Sequence, residues 1–170
     1  MGLFLFPDEY YSSTYDIDFK RYYRRGYRAV FFDIDNTLVE HDAPADERSI
    51  RLIKKLKAMG FKVCFISNNK EPRVASFNKF MGADYVFKAG KPKADGYIEG
   101  MKKVHVGRKR TLFVGDQIFT DIWGANNAGL HSILVKQIAF REEIQIYLKR
   151  IIEWPIVLVF KLTHPFDVHE

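Results

Sequence analysis

The chain has 170 residues, 47% of them hydrophobic, so it can bury one sizeable core and is too short for two. Its 27 basic and 21 acidic residues give a formal net charge of +6, which favours an anionic partner such as phosphate, acidic lipid or nucleic acid. A single cysteine, Cys64, excludes an internal disulfide, and its apolar context "FKVCFIS" predicts that it is buried.

The N-terminal stretch "MGLFLFPDEY" is apolar for only five residues and then reaches Pro7, Asp8 and Glu9. This pattern is typical of neither a signal peptide nor a membrane span. We therefore expect a cytoplasmic protein, either free or bound peripherally at the inner face of the cell membrane.

Short apolar runs alternate with helix-like segments along most of the chain. The runs "AVFFDI", "FKVCFIS", "TLFVGD" and "HSILVK" are not alternating, as expected of parallel strands buried on both faces, and "DYVFKAG" predicts a further strand. A helix is predicted between Asp46 as N-cap and Gly60 as stop, and another ends at Gly129. Two more, "EPRVASFNKFMG" and "KPKADGYIEGMKKV", are predicted to begin near their prolines.

This alternation predicts an α/β fold with an open, Rossmann-like parallel sheet flanked by helices. We expect one domain over residues 1–170, with a core at about 28–140 and accessory segments at both ends. The C-terminal "IEWPIVLVFKL" is too short, and too interrupted by Pro155, to span a bilayer. It is interpreted either as a last strand or packing segment, or as an element in a membrane interface with Trp154 at headgroup depth.

Polar side chains follow the predicted strands, where an open parallel sheet binds its ligands. Carboxylates placed together there would repel one another unless a hard cation such as Mg²⁺ lay among them. A lysine and a serine hydroxyl can hold phosphoryl oxygens, and a carboxylate can attack phosphorus. The candidate residues are Asp33, Asp35, Ser67, Asn68, Lys91, Asp116 and Asp121.

The sequence "DIDNT", with Ser67, Lys91 and "GDQIFTD" in that order, resembles the four motifs of the haloacid dehalogenase (HAD) superfamily of phosphatases. The stretches "SNNKEPRV", "KAGKP" and "GDQIFTDIWGANNAG" further resemble its YqeG-like branch in subfamily IIIA, which is related to mitochondrial phosphatidylglycerophosphate phosphatases. Unlike many relatives, this chain has Glu40 and His41 after "DNTLV". The resemblance therefore says least about which residues contact the leaving group.

The resemblance implies a role for each candidate residue. Asp33 is the implied nucleophile, and Asp35 is the implied general acid and base, with its backbone carbonyl as a metal ligand. Ser67, Asn68 and Lys91 are the implied phosphate-binding residues. Asp33, Asp35, Asp116 and Asp121 are the implied metal-binding residues for Mg²⁺.

Family members that act on small metabolites often carry a cap domain between these motifs. Here 34 positions separate Asp33 from Ser67 and 24 separate Ser67 from Lys91, so no cap domain is expected. An open site favours a bulky substrate, or a phosphate presented at a surface. It also allows a neighbouring subunit of a homo-oligomer to serve as a lid.

The resemblance thus implies a Mg²⁺-dependent phosphatase for the headgroup phosphate of phosphatidylglycerophosphate, associated peripherally with an anionic membrane during phospholipid synthesis. Two alternatives stay open. One is a phosphatase for a soluble nucleotide or sugar phosphate. The other is a non-catalytic RNA- or ribosome-binding module, suggested by "KRYYRR" and "GRKR". Nucleic acid is the less favoured partner, because binding alone requires neither a nucleophile nor a metal site.

Overall fold

A computed structural model describes residues 4–139 and 144–169, with only the backbone of residues 144–149. Its strands are β1 (Glu9–Tyr11), β2 (Ala29–Phe32), β3 (Lys62–Ile66), β4 (Asp84–Val86), β5 (Thr111–Gly115), β6 (His131–Val135) and β7 (Val168–His169). Its α-helices are α1 (Phe19–Arg24), α2 (Glu47–Ala58), α3 (Glu71–Asn78), α4 (Asp95–Val104), α5 (Trp123–Ala128) and α6 (Ile144–Thr163).

The seven strands form one sheet in the order β4-β3-β2-β5-β6-β1-β7, and every pair is parallel. This confirms the predicted Rossmann-like architecture. From β2 the chain proceeds outward to β3 and β4, then returns to build β5 and β6 on the other side of β2. The topological switch point therefore lies between β2 and β5, and ligands of such sheets bind at the carboxyl ends of these strands.

Both faces of the sheet are covered, because successive residues of a strand point to opposite sides. Val30 and Phe32 of β2 pack in one apolar cluster with residues of α2 and α3. Ala29 and Phe31 pack in a second cluster with Tyr97 of α4 and residues of α5. Cys64 lies in this second cluster and is fully buried, as predicted.

Local signals explain where α2 begins and ends. The Asp46 carboxylate accepts a hydrogen bond from the Ser49 N–H at 2.7 Å, and the Ser49 hydroxyl in turn accepts one from the Asp46 N–H. After the helix, Gly60 has φ +100°, a backbone conformation that residues with a Cβ atom rarely adopt. A Cβ there would also lie 2.7 Å from the Tyr23 hydroxyl oxygen. Both predicted boundary residues are confirmed.

The other predicted helices are also present, with one difference. Pro72 is the second residue of α3, and Gly129 ends α5 in the left-handed region. By contrast, Pro92 lies just before the first turn of α4, which begins three residues later, at Asp95. The backbone N–H and C=O of Lys91 are both hydrogen-bonded to the Asn68 side chain, which holds the segment outside the helix.

The terminal segments extend the sheet beyond the expected core. The N-terminal segment supplies β1, which pairs with β6, and the C-terminal β7 pairs with β1. "IEWPIVLVFKL" is helical within α6, so its interpretation as a strand is wrong, but Phe160 is buried against the core as a packing segment requires. No helix in the described parts of the chain has the length and hydrophobicity needed to cross a membrane.

Candidate active site

The site is built at the switch point, around the carboxyl ends of β2 and β5. Asp33 follows β2, and its N–H donates to the Val114 carbonyl of β5 at 3.0 Å. Asp116 follows β5, so the two carboxylates leave neighbouring strands at the same edge. Both residues are buried, which brings two acidic groups together out of water.

Asp121 completes a cluster of three buried carboxylates. Asp33, Asp116 and Asp121 each offer one carboxylate oxygen, and these three oxygens lie within 4.8 Å of one another. That separation is small enough for all three to bind one cation. A π-helical turn, Ile118–Ile122, carries Asp121 back towards β5. The turn fits because Gly115 has no side chain: a Cβ there would lie 2.6 Å from the Cβ and Cγ of Asp121.

Lys91 lies within this acidic cluster. Its Nζ is 2.6 Å from Oδ1 of Asp33 and 2.6 Å from Oδ1 of Asp121. Burial lowers the pKa of Lys91, but the carboxylates of Asp121 and Asp33 raise it more, so this pKa is above its ordinary value and the amine is charged. Lys93, the second lysine of "GKPK", is exposed instead.

Arg150 of α6 reaches the cluster from the C-terminal part of the chain. Its Nη1 donates to the Asp116 carbonyl at 2.9 Å, and its Nη2 contacts Oδ2 of Asp116. The other oxygen of Asp116, Oδ1, accepts a hydrogen bond from the Thr37 hydroxyl at 3.1 Å. Residues 33–91 contain α2, α3 and two strands but no inserted domain, so the site lacks a cap domain, as predicted, although α6 covers one side of it.

The three carboxylates fit a hard divalent cation. Burial raises the pKa of Asp33 well above its usual range, and it raises that of Asp116 to about 6, with Asp121 adding to both shifts. A cation bound among the three carboxylates would offset the mutual repulsion that contributes to these raised pKa values. Oxygen ligands of this kind suit Mg²⁺ and similar ions.

The Asp35 carboxylate lies outside the three-carboxylate cluster. It accepts hydrogen bonds from Arg73 Nη2 at 2.8 Å, Asn69 Nδ2 at 2.5 Å and the Asp42 N–H at 2.9 Å. The loop between Asp35 and Val39 is tight, with Asn36 at φ +61° and its N–H bonded to the Val39 carbonyl. The contacts of Asp35 therefore fix its carboxylate on the Arg73 side of the site.

Two of the three predicted phosphate-binding residues, Ser67 and Asn68, follow β3 and lie beside the loop that carries the third, Lys91. Ser67 is buried, and its Oγ accepts a hydrogen bond from the Asn69 N–H at 3.1 Å, which leaves the hydroxyl proton available for a phosphoryl oxygen. The Asn68 side-chain amide bonds the Lys91 backbone twice: its Oδ1 accepts from the Lys91 N–H at 2.9 Å, and its Nδ2 donates to the Lys91 carbonyl at 3.2 Å. Asn68 therefore positions Lys91 through the loop.

Several residues at the site were not predicted from the sequence. Arg150 lies in a terminal segment without a motif, and Tyr97 is on a helix, where its hydroxyl donates to the Asp121 carbonyl at 3.1 Å. Thr14 supports the loop after β2 by donating from its hydroxyl to the Thr37 carbonyl at 2.8 Å. Arg73 lies in "SNNKEPRV", six residues after Ser67. Of these residues, it is the one whose closeness to a candidate motif could have indicated a place in the site.

Comparison with known proteins agrees with this architecture. The family model of haloacid dehalogenase-like hydrolases matches residues 42–129, a range that includes Ser67, Lys91, Asp116 and Asp121. The probable phosphatase YqeG of Bacillus subtilis (strain 168) is 34% identical over 137 residues, which cover 80% of each chain.

Two solved structures share the fold at low sequence identity. The cobalt-bound deoxy-D-mannose-octulosonate 8-phosphate phosphatase of Haemophilus influenzae has a TM-score of 0.54 at 18% identity, covering 74% of each chain. The putative 3-deoxy-D-manno-octulosonate 8-phosphate phosphatase of Vibrio cholerae has a TM-score of 0.51 at 14% identity, covering 64% of this chain and 65% of that one.

Proposed function

The chain is a phosphatase of the haloacid dehalogenase-like hydrolase family, and we propose that it hydrolyses phosphomonoesters through a phosphorylated Asp33. The observation that carries this proposal is the position of Lys91, whose ammonium group contacts Asp33 and Asp121 while Asp116 lies alongside. Such a cluster offers a carboxylate nucleophile together with positive charge for the phosphoryl oxygens.

In the proposed first step, a carboxylate oxygen of Asp33 attacks phosphorus, and the bond from phosphorus to the ester oxygen breaks. Asp35 gives its proton to that leaving oxygen. Lys91 and the Ser67 hydroxyl bind the non-bridging oxygens and hold the phosphoryl group in line with Asp33. Arg73 and Asn69 set the position of Asp35.

In the second step, a water molecule attacks phosphorus, and Asp35 accepts its proton. The bond between Asp33 and phosphorus breaks, which releases inorganic phosphate and restores the carboxylate. We assign Mg²⁺ to the cluster of Asp33, Asp116 and Asp121, with the Asp35 carbonyl as a further ligand. When bound, the ion supplies positive charge that offsets repulsion between the nucleophile and the phosphate.

For the substrate we propose phosphatidylglycerophosphate, presented at an anionic membrane surface. The exposed side of α6 supports this assignment, because it carries large apolar side chains next to the residue that contacts Asp116. We call this side, with Phe166 just after the helix, the outer apolar face; its members are Ile151, Ile152, Trp154, Leu158, Val159, Leu162 and Phe166. A contiguous apolar surface of this kind is typical of a protein or membrane contact.

Phosphate release by the purified full-length chain tests the enzymatic proposal. With Mg²⁺ present, wild type should release phosphate from phosphatidylglycerophosphate in a panel that also holds nucleotides and sugar phosphates. Asp33→Asn should lower kcat by about 10³-fold or more, because an amide cannot form the acyl phosphate. Asp84→Asn removes the same charge from an exposed position on β4 and is the matched control.

The outcomes separate the parts of this proposal. Equal activity of Asp33→Asn would exclude Asp33 as the nucleophile. Turnover confined to soluble phosphates would remove the lipid assignment and leave the mechanism in place. Release from no member of the panel, with folded protein and Mg²⁺, would count against the enzymatic proposal itself.

A further inference from the structure

Two basic motifs of the sequence, "KRYYRR" and "GRKR", lie outside the active site. The fold brings them together at the amino ends of β2 and β5, which are neighbouring parallel strands. Arg28, which directly precedes β2, donates its N–H to the Arg110 carbonyl at 2.8 Å. The Nε of Arg110 in turn donates to the Gly26 carbonyl at 3.2 Å. The two motifs therefore lie side by side on one edge of the sheet.

A third strand adds a lysine to the same edge. Lys62 is the first residue of β3, and its N–H donates to the Arg28 carbonyl at 2.8 Å. Arg28 thus joins the starts of three neighbouring strands, which span about 10 Å because adjacent strands are about 5 Å apart. The Nη1 of Arg28 is itself occupied, because it donates to the Tyr23 and Tyr27 carbonyls. These bonds fix the end of α1 against the sheet edge.

Six basic side chains around Arg28 are exposed. We call them the amino-edge basic surface; they are Arg24, Arg25, Lys62, Arg108, Lys109 and Arg110. None of them forms an ion pair with a carboxylate in the described parts of the chain. Acidic residues at the starts of strands belong to β4, β1 and β7, away from the centre of this edge. The surface therefore concentrates positive charge and favours an anionic partner.

The residue types of this surface fit the phosphates of a nucleic acid. Four of its six cations are arginines, whose planar guanidinium groups can bind two phosphate oxygens at once. A protein partner or a membrane is usually met by large exposed apolar side chains beside the charges. Residues 20–28 and 107–111 contain no exposed large hydrophobic side chain. Charge without apolar surface is sufficient to bind a nucleic-acid backbone.

The surface lies at the opposite edge of the sheet from the active site. Asp33 and Asp116 follow the carboxyl ends of β2 and β5, whereas Arg28 and Arg110 precede the amino ends of the same strands. These strands have 4 and 5 residues, so at about 3.3 Å per residue they separate the two edges by roughly 15 Å. A nucleic acid bound at the amino edge therefore leaves the carboxylate cluster open. Unlike a non-catalytic module, such a chain can bind nucleic acid and act on a phosphomonoester.

We propose that the amino-edge basic surface binds the phosphate backbone of a nucleic acid without reading its base sequence. The tyrosines of residues 20–28 are buried or half-buried, so they offer little surface on which bases could stack. Contacts to phosphates alone position a nucleic acid and carry no sequence information. The proposal is independent of which phosphomonoester the active site hydrolyses.

Fluorescence anisotropy of labelled nucleic acids with the purified full-length chain tests the proposal. The probes are single-stranded RNA, double-stranded RNA and single-stranded DNA of mixed sequence, and their comparison identifies the kind of nucleic acid preferred. Arg24→Gln with Arg25→Gln, and separately Arg108→Gln with Arg110→Gln, should each raise the Kd about tenfold or more at about 50 mM salt. Each pair should also reduce the slope of log Kd against log salt concentration by about 1 or more, because fewer counterions are released.

A matched control removes two charges from the opposite edge. Lys70 and Lys88 are exposed in the loops after β3 and β4, and Lys70→Gln with Lys88→Gln should keep the Kd within about twofold of wild type. Arg108→Lys with Arg110→Lys preserves the charge and should preserve the salt slope, which separates a role in binding from a role in the fold. All variants are compared at equal folded fraction, checked by their thermal unfolding.

The remaining outcomes contradict the proposal. If wild type binds none of the probes at the lower salt concentration, or if the control pair weakens binding as much as the arginine pairs, the amino-edge basic surface is not a nucleic-acid site. Vesicles containing phosphatidylglycerol and poly-glutamate serve as competing anions. If the arginine pairs weaken binding to either of these but not to nucleic acid, the surface contacts a membrane or an acidic protein instead.

Discussion

Lys91 and Lys93 stand two residues apart in "GKPK", yet only Lys91 is buried, with its ammonium group between two carboxylates. Asp33, Lys91, Asp116 and Asp121 were predicted from the sequence because strand ends in a parallel sheet converge at one edge, whatever the details of packing. Arg150 was not predicted, because its position depends on where a terminal helix docks, and no local pattern encodes that.

Replacing Lys91 tests how strongly the site depends on this charge. Lys91→Met leaves the buried carboxylates of Asp33 and Asp121 without their shared cation, so we expect the free energy of unfolding to fall by about 3–5 kcal/mol. The exposed neighbour provides the control, since Lys93→Met should change the free energy of unfolding by less than about 0.5 kcal/mol. Urea unfolding at pH 8 without added metal measures both, and equal effects would contradict the structure of this cluster.

At the scale of elements, the ends of the chain showed where sequence patterns are least informative. Pro155 suggested an interruption, but α6 continues through it because the residue lies on the exposed side while Phe160 anchors the other side in the core. The short strands β1 and β7 have too few residues for a periodic pattern. What holds them is Glu9, whose carboxylate contacts Arg21 of α1, His131 of β6 and His169 of β7.

Glu9 should make the attachment of these elements dependent on pH. Burial raises its pKa, but hydrogen bonds from His131 and Tyr22 and the charge of Arg21 outweigh burial and lower the value from 4.5 to about 2. Because the folded-state pKa is depressed, the stabilisation is complete above pH 4.5 and is lost as the pH falls towards 2.

The measurement compares wild type with Glu9→Gln, which cannot titrate. The difference in their free energies of unfolding should shrink by about 2 kcal/mol between pH 7 and pH 3. Glu47→Gln, at an exposed surface ion pair with Arg51, should show a difference that varies by less than about 0.5 kcal/mol over the same range. A constant difference for Glu9→Gln would rule out the depressed pKa.

For the molecule as a whole, the fold class and the absence of a cap domain were predictable because hydrophobic runs and motif spacing determine them. The outer apolar face was not, since it appears only once α6 is known to be a helix with Phe160 turned inward. A single helix thus presents apolar side chains outward, while its Arg150 contacts Asp116 on another side.

Membrane attachment through this face can be measured by flotation. We expect wild type to float with vesicles containing phosphatidylglycerol at low salt, because apolar burial and the net charge of +6 both favour that surface. Ile152→Ser combined with Leu162→Ser should lower the partition coefficient at least about tenfold, since each loses buried apolar area in the bound state. Phe80→Ser removes an apolar side chain that is also 62% exposed but lies after α3, and it should have little effect. Absence of wild-type flotation would contradict the assignment.

The outer apolar face gives the proposed lipid substrate a consequence for kinetics. If the protein binds vesicles through this face and acts on that lipid, enzyme and substrate meet by diffusion in two dimensions. We then expect the rate to follow the mole fraction of the substrate in the membrane. Other lipids mixed into the vesicles should slow hydrolysis, whereas added buffer should leave the rate on each vesicle unchanged.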